Sequence, residues 1–501
     1  MRKDRTFAHH HVAPPNPQNP NATPGFCTLE NRRYVLIAAI LASALGFIDS
    51  TIVAIALPTM RAALGADFIQ AQWINNGYLF SLSALILLGG ALGDRFGTAR
   101  AFAWGIGIFC VASALCAVAP NVETLIAGRV LKGVGAAIMI PGSLALIARA
   151  YPREDRGRAI GVWAAASALM TALGPILGGA VLSQGGADLW RWLFIVNVPF
   201  GSIALWLVLR KVAHDPARAD HPLDLVGAVL ITAGLGCLAW GLTTDASGAN
   251  WTLVATGLLI IVAFTFWEAY TPHPMIPLTL FKTPAFSAAN LATAFLYFSL
   301  STILFFLPMT MIAGWGMAEV VASVAFVPLT VFITLLSAQA GRWSDVYGAG
   351  RLIGIGGMIV AIAFGLIAFL AHTQNFWIAV LPGTILMGFG MALVVSPLSN
   401  AVMGSVSDDK TGVASGVNNA MARIAGLIAV AVMGGLATMF YERAGGTDGF
   451  GTFSATLQHA AASTTAFAGL AWITATLCAG GAVVAWVFIP KPQVIEASID
   501  G

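Results

Sequence analysis

Gly90-Ala91-Leu92-Gly93-Asp94-Arg95-Phe96-Gly97-Thr98-Ala99-Arg100 is a charged, glycine-punctuated turn between two long apolar runs, and it returns as Gly341-Arg342-Trp343-Ser344-Asp345-Val346-Tyr347-Gly348-Ala349-Gly350-Arg351. Gly90/Gly341, Asp94/Asp345, Gly97/Gly348 and Arg100/Arg351 all keep one offset, 341 − 90 = 251 residues. A repeat at half the chain length, placed at the same point of two hydrophobic hairpins, predicts a protein built of two similar halves. Within each copy, Gly90 and Gly93 would permit close helix approach. Asp94 could cap a helix or pair with an arginine, and Gly97 would allow a tight reversal.

The bulk composition fixes the solvent. With 501 residues, 58% hydrophobic, 9% charged and a mean hydropathy of +0.83, the chain lies far outside the range of soluble domains. A net charge of +3 without a basic patch gives no reason to expect a nucleic-acid partner. Five cysteines, Cys27, Cys110, Cys116, Cys237 and Cys478, lack metal-ligand spacing, so neither a disulfide framework nor a metal site is expected. No phosphate-binding glycine loop, serine elbow or catalytic carboxylate pair occurs, which argues against ATP-driven transport and enzyme activity and leaves no cofactor to place.

Apolar runs of about 20 residues, the length that crosses a bilayer core, recur fourteen times from 34–57 to 466–489. The proline-rich stretch 1–33, with His9, His10 and His11, reads as a disordered tail, and 491–501 as a second one. An even number of spans puts both tails on one side. That side carries nineteen basic residues, including Arg95, Arg100, Arg218, Arg351 and Lys491, against Arg61, Arg191 and Arg443 on the other, so both tails are expected in the cytoplasm. The repeat offset predicts six-helix bundles at 34–210 and 285–490, separated by an inserted two-helix hairpin and linkers at 211–284. The fold class expected is all-α membrane protein, working as a monomer in the bilayer.

Charges inside the spans are few. Asp49 lies within an apolar run, whereas Asp224 and Glu268 fall near run ends, and Arg129, Lys132 and Arg423 are the basic residues inside spans. A carboxylate in the membrane costs several kcal/mol unless paired or protonated. Burial favours the neutral acid and a neighbouring guanidinium the charged one, so an Asp49 whose partner changes with conformation could load and release a proton. Arg129 is the natural partner, and a fixed structural ion pair is the alternative. Lys132 stands three residues from Arg129 on the same helix face. It is either neutral at rest and handles protons with Asp49, or charged and balanced by the substrate, or it snorkels to a surface. Two adjacent cations facing one acid predict a preference for anionic, zwitterionic or neutral lipophilic substrates over quaternary ammonium compounds. For the cavity, the polar, aromatic and methionine residues inside spans are the candidates: Asn75, Asn76, Tyr78, Trp163, Asn290, Tyr297, Phe298, Phe305, Phe306, Met309, Asn400, Asn419 and Arg423, the last with a structural alternative in which it satisfies backbone carbonyls or a partner within its bundle.

Taken together these residues resemble the major facilitator superfamily, and within it the fourteen-span drug:proton antiporter branch of bacterial efflux pumps. Gly90 to Arg100 looks like its loop between spans two and three; Leu125, Arg129, Gly133, Gly135, Ala136 and Ala137 like its span-four motif; and Gly174, Pro175, Gly178 and Gly179 like its span-five antiporter motif. Asp49, Thr51, Ile52, Val53, Ala56, Leu57 and Pro58 resemble the span-one motif, and Trp190-Arg191-Trp192 with Asn197, Pro199 and Gly201 adds a local match. Ala54, Lys132, Ala166 and Met170 depart from the pattern. The resemblance implies proton-coupled export of lipophilic drugs across a bacterial inner membrane; export of a lipid or natural product, proton-coupled uptake, and a non-transporting receptor or assembly factor are the alternatives. It gives Arg129 a part in proton transfer and reads Gly174 to Gly179 as a mark of export. It also implies a latch in which Asp94, with Arg95, Arg100, Asp345 and Arg351 around it, holds the cytoplasmic side closed in the outward-facing state.

Overall fold

The computed structural model describes residues 31–186, 188–212, 222–243, 248–407 and 410–489. The expected tails, apart from 31–33, together with Cys27, Arg218 and Lys491, lie outside the described residues. Every regular element among the described residues is helical, and fourteen stretches are long and apolar enough to cross a membrane. The chain is a multi-pass membrane protein. Span one is α1 (Arg32–Leu64), followed by α2 (Phe68–Phe96), α3 (Thr98–Ala117), α4 (Val122–Ala150) and α5 (Arg153–Leu182). Span six joins α6 (Trp192–Ile195) to α7 (Asn197–Lys211), and α8 (Leu225–Leu242) and α9 (Trp251–Tyr270) form a hairpin. Span nine is α10 (Pro284–Met309), and span ten is broken into α11 (Glu319–Val324) and α12 (Val327–Tyr347). The remaining spans are α13 (Ala349–Leu370), α14 (Leu381–Gly404), α15 (Thr411–Arg443) and α16 (Leu457–Phe488).

The helices pack mostly against partners in their own half of the chain, with α2 on α15 and α5 on α11 across the halves. α2 and α3 pack on α4 and α1 packs on α5, while α13 packs on α14 and α16, and α10 on α15 and α16. The hairpin α8–α9 leans on α2 and α15 at the seam between the bundles. Its two acids converge. Glu268, 3% exposed, accepts the Ile276 N–H at 2.8 Å, and Asp224 accepts from Gly227 N–H and the Trp267 indole at 2.7 and 2.8 Å. The other oxygens, Asp224 Oδ2 and Glu268 Oε1, are buried without a partner among the described residues, and both border the space left by the missing side chain of Gly227. Sequence reading had placed these acids near the membrane surfaces without pairing them.

The repeated turn has one backbone shape in both copies. Gly97 takes φ 95° and ψ 132°, and Gly348 φ 92° and ψ 133°, a region that a Cβ disfavours. The predicted close approach at Gly90 is corrected: nothing lies within 4 Å of where its Cβ would be. One residue of register explains it. Gly89 meets α4, where a Cβ would come 2.9 Å from Ile138 Cα, and in the second copy Gly341 itself faces Ser396 of α14. Both turns lie on one face of the membrane, the near face, opposite the far face.

Candidate functional site

Three charged side chains meet inside the first bundle. Asp49 on α1, Arg129 and Lys132 on α4 are each 0% exposed. Arg129 donates from Nη1 to Asp49 Oδ2, Lys132 Nζ lies 2.5 Å from Asp49 Oδ1, and Arg129 Nε donates to the Ile74 carbonyl at 2.9 Å. Both carboxylate oxygens are therefore used, one by each cation. Aromatic rings complete the enclosure. The Arg129 guanidinium sits 4.7 Å from the Tyr78 ring centre, and Lys132 Nζ sits 4.7 Å from the rings of Phe109 and Phe194. Snorkelling of Lys132 is excluded by this burial.

Beside the triad, between the bundles, lies a cavity of about 450 Å³. Of the residues expected there, Asn75, Tyr78, Tyr297, Phe305, Asn419 and Arg423 line it. The other seven stand elsewhere. Asn76 is buried within the first bundle beside Asn75, Trp163 donates to Ser43 on α1, Met309 packs by Gly451, and Asn400 donates to Ser344 on α12. Asn290, Phe298 and Phe306 also fall outside the lining. Asn290 accepts from Asn418 at 3.2 Å, and Asn418 donates at 2.7 Å to Thr293. Sequence reading missed Phe47, Ser50, Thr171, Ser301, Ser399 and Ser415. Only a helix-face assignment at every span would have found them, because small hydroxyls inside membrane helices more often bond their own backbone. Asp49, Arg129 and Lys132 are not among the residues that line the cavity, whereas Tyr78, whose ring the Arg129 guanidinium covers, is.

The bundles touch at the far face. Arg61 Nη1 donates to the Phe450 carbonyl at 2.6 Å, Thr59 donates to Glu319 at 3.3 Å, and Val320 N–H donates to Ser183 Oγ at 3.1 Å. Gln72 fills a slot against Gly434 on α15. The span-five glycines lie toward this far end of α5 rather than at its middle, and they serve two neighbours. Gly174 and Gly178 admit Ile48, Thr51 and Ile52 of α1, while Gly179 faces the Glu319 carbonyl and Ser323 of α11 in the other bundle. At the other end the cavity reaches Met403 and Ser415, close to the near ends of α14 and α15. Asp94 and Asp345 are exposed there, with no ion pair among the described residues, as are Arg100 and Arg351, while Arg95 stacks on Phe96.

The model of the Major Facilitator Superfamily matches residues 39–430 and 289–498. The chain belongs to the Major Facilitator Superfamily. Among its relatives in that superfamily, the methylenomycin A resistance protein of Bacillus subtilis (strain 168) is 31% identical over 79% of this chain and 87% of its own length. The tetracenomycin C resistance and export protein of Streptomyces glaucescens is 32% identical over 77% and 72%. Among solved structures, a bacterial homologue of the human lysosomal transporter Spinster, inward-facing and occupied, superposes with a TM-score of 0.67 at 16% identity, covering 93% of this chain and 98% of that one. This superfamily member is thus a membrane transporter of small molecules with drug-resistance relatives, and not an enzyme.

Proposed function

We propose that this transporter exports small lipophilic compounds in exchange for protons. It does so by alternating access between the bundles at 34–210 and 285–490, with 211–284 as the inserted hairpin and linkers. The near face is cytoplasmic on this reading, since basic residues crowd it, and the protein works as a monomer in a bacterial inner membrane. The observation that carries the proposal is the Asp49 carboxylate, wholly buried and clasped by two cations, one layer behind a cavity.

The chemistry follows from charge. Ionised, Asp49 ties α1 to α4 through Arg129 and Lys132. Protonated, it stops balancing them, and two buried like charges then favour a different spacing of those helices. Because α1 also brings Ser50 and Thr51 to the cavity wall, the proton and the substrate act on one element. Export rather than uptake is supported by the Gly174 to Gly179 motif at the far closure and by relatives named for antibiotic resistance and export.

The test is drug or dye efflux from cells with and without the gene, before and after a proton uncoupler. Efflux that depends on the gene and collapses with the uncoupler is expected. Uncoupler-insensitive efflux, or no efflux of any compound in a broad panel, overturns the proposal.

A further inference from the structure

Among its described lining residues the cavity carries one formal charge. Arg423, on the face of α15 that also presents Ser415, Asn419 and Gly426, lies twelve residues into that helix, about 18 Å along its axis. It is partly exposed to the cavity and makes no hydrogen bond or ion pair among the described residues. No aspartate or glutamate is among the described lining residues. An unpaired guanidinium at this depth is costly unless a counter-charge or water satisfies its donors. The excess behind the wall has the same sign, because with all three groups ionised the sealed triad carries two cations against one acid.

The walls describe the rest of the ligand. Phe47, Tyr78, Tyr297 and Phe305 supply flat apolar surface. Across the cavity wall, Ser301 Oγ of α10 faces Gly426, three residues along α15 from Arg423, where a Cβ would come to 2.8 Å. A fork of N–H donors with neighbouring hydroxyl and amide groups fits a planar anionic head, and about 450 Å³ fits a body of drug size.

We propose that Arg423 is the receptor for the anionic head of the substrate, so that the transporter selects flat lipophilic monoanions, carboxylates or sulfonates, over neutral and cationic analogues of the same body. This deepens the export reading and rests on it. It also moves the source of the anion preference: the sequence tied it to Lys132, whereas Lys132 is sealed behind the wall and Arg423 meets the ligand.

The experiment is equilibrium binding by calorimetry to the full-length protein in nanodiscs, with empty nanodiscs subtracted and no gradient present. The probes are 1-naphthoate, 1-naphthamide and 1-naphthylmethylammonium, which share a ring system. The expected order is naphthoate tightest, by about tenfold or more over the amide, with the ammonium weakest. Arg423→Gln should bring the naphthoate to the level of the amide. Arg423→Lys, which keeps the charge and guards against misfolding, should keep the order with a smaller margin. Equal affinities for the three probes, an order unchanged in Arg423→Gln, tighter binding of the ammonium, or no binding of any probe overturns the proposal. Because binding is read without a gradient, it is separable from the export reading, which stands or falls on uncoupler-sensitive efflux.

Discussion

At the residue scale, the triad is unbalanced, and that imbalance can be measured. Asp49→Ala leaves two buried cations facing each other and should cost about 3–5 kcal/mol of stability. Asp49→Asn keeps the shape and should leave a folded protein that binds substrate but does not concentrate it; gradient-driven export by the Asn variant would make Asp49 structural. Lys132→Met should behave differently. It leaves Arg129 and Asp49 as a one-to-one pair, and a thioether of similar volume keeps contact with the Phe109 and Phe194 rings. Thermal unfolding should therefore show no loss beyond about 1 kcal/mol, and a loss as large as that of Asp49→Ala would contradict the geometry. How much of this was legible follows from chemistry. Asp49 and Arg129 stand out in a sequence because charge is expensive in a membrane, so their pairing could be named without coordinates. Lys132 could be placed on the right helix face, but not against the Phe109 and Phe194 rings, since enclosure comes from other helices. The cavity was half legible for the same reason: Tyr297 and Arg423 face it, while Trp163 and Asn400, equally polar, are turned to Ser43 and Ser344.

At the scale of elements, the span-five motif is a packing device with two sides. Gly178 lets α5 lie against Ile52 of its own bundle, and Gly179 lets it reach α11 of the other. A Cβ at Gly179 would come 2.8 Å from the Glu319 carbonyl and 2.8 Å from Ser323 Oγ, closer than side chains tolerate in packed interiors. Gly179→Ala should therefore loosen the far closure while leaving the first bundle intact. The measurement is labelling of a cysteine introduced at Ser301 by a membrane-impermeant thiol reagent applied from the far face, in an otherwise cysteine-free background. Labelling should rise several-fold in the Gly179→Ala protein, and unchanged labelling would mean that α5 and α11 do not gate the cavity. The number of spans was legible because span length is set by bilayer thickness. Contact register was not, since Gly89 and Gly90 differ only in which side of α2 they occupy.

For the whole molecule, the two charge sites set how the membrane potential enters the cycle. On the proposed antiport, Asp49 would carry a proton inward and Arg423 would receive an anion that leaves, so the two charges would cross in opposite directions. With one proton exchanged per substrate, an inward proton and an outward monoanion both move positive charge inward, giving two elementary charges per cycle. A neutral analogue moves one and a monocation none. Each charge is worth about 2.3 kcal/mol per 100 mV, so an interior-negative potential should drive monoanion export about twice as steeply as export of its neutral analogue. Proteoliposomes with a fixed pH gradient and a potassium-valinomycin potential measure this directly. The logarithm of the naphthoate gradient should depend on potential with twice the slope found for naphthamide, and Asp49→Asn should abolish proton movement in both. Equal slopes for the two probes would show that the substrate crosses without its charge, and would separate the proton site from the anion site as parts of one cycle.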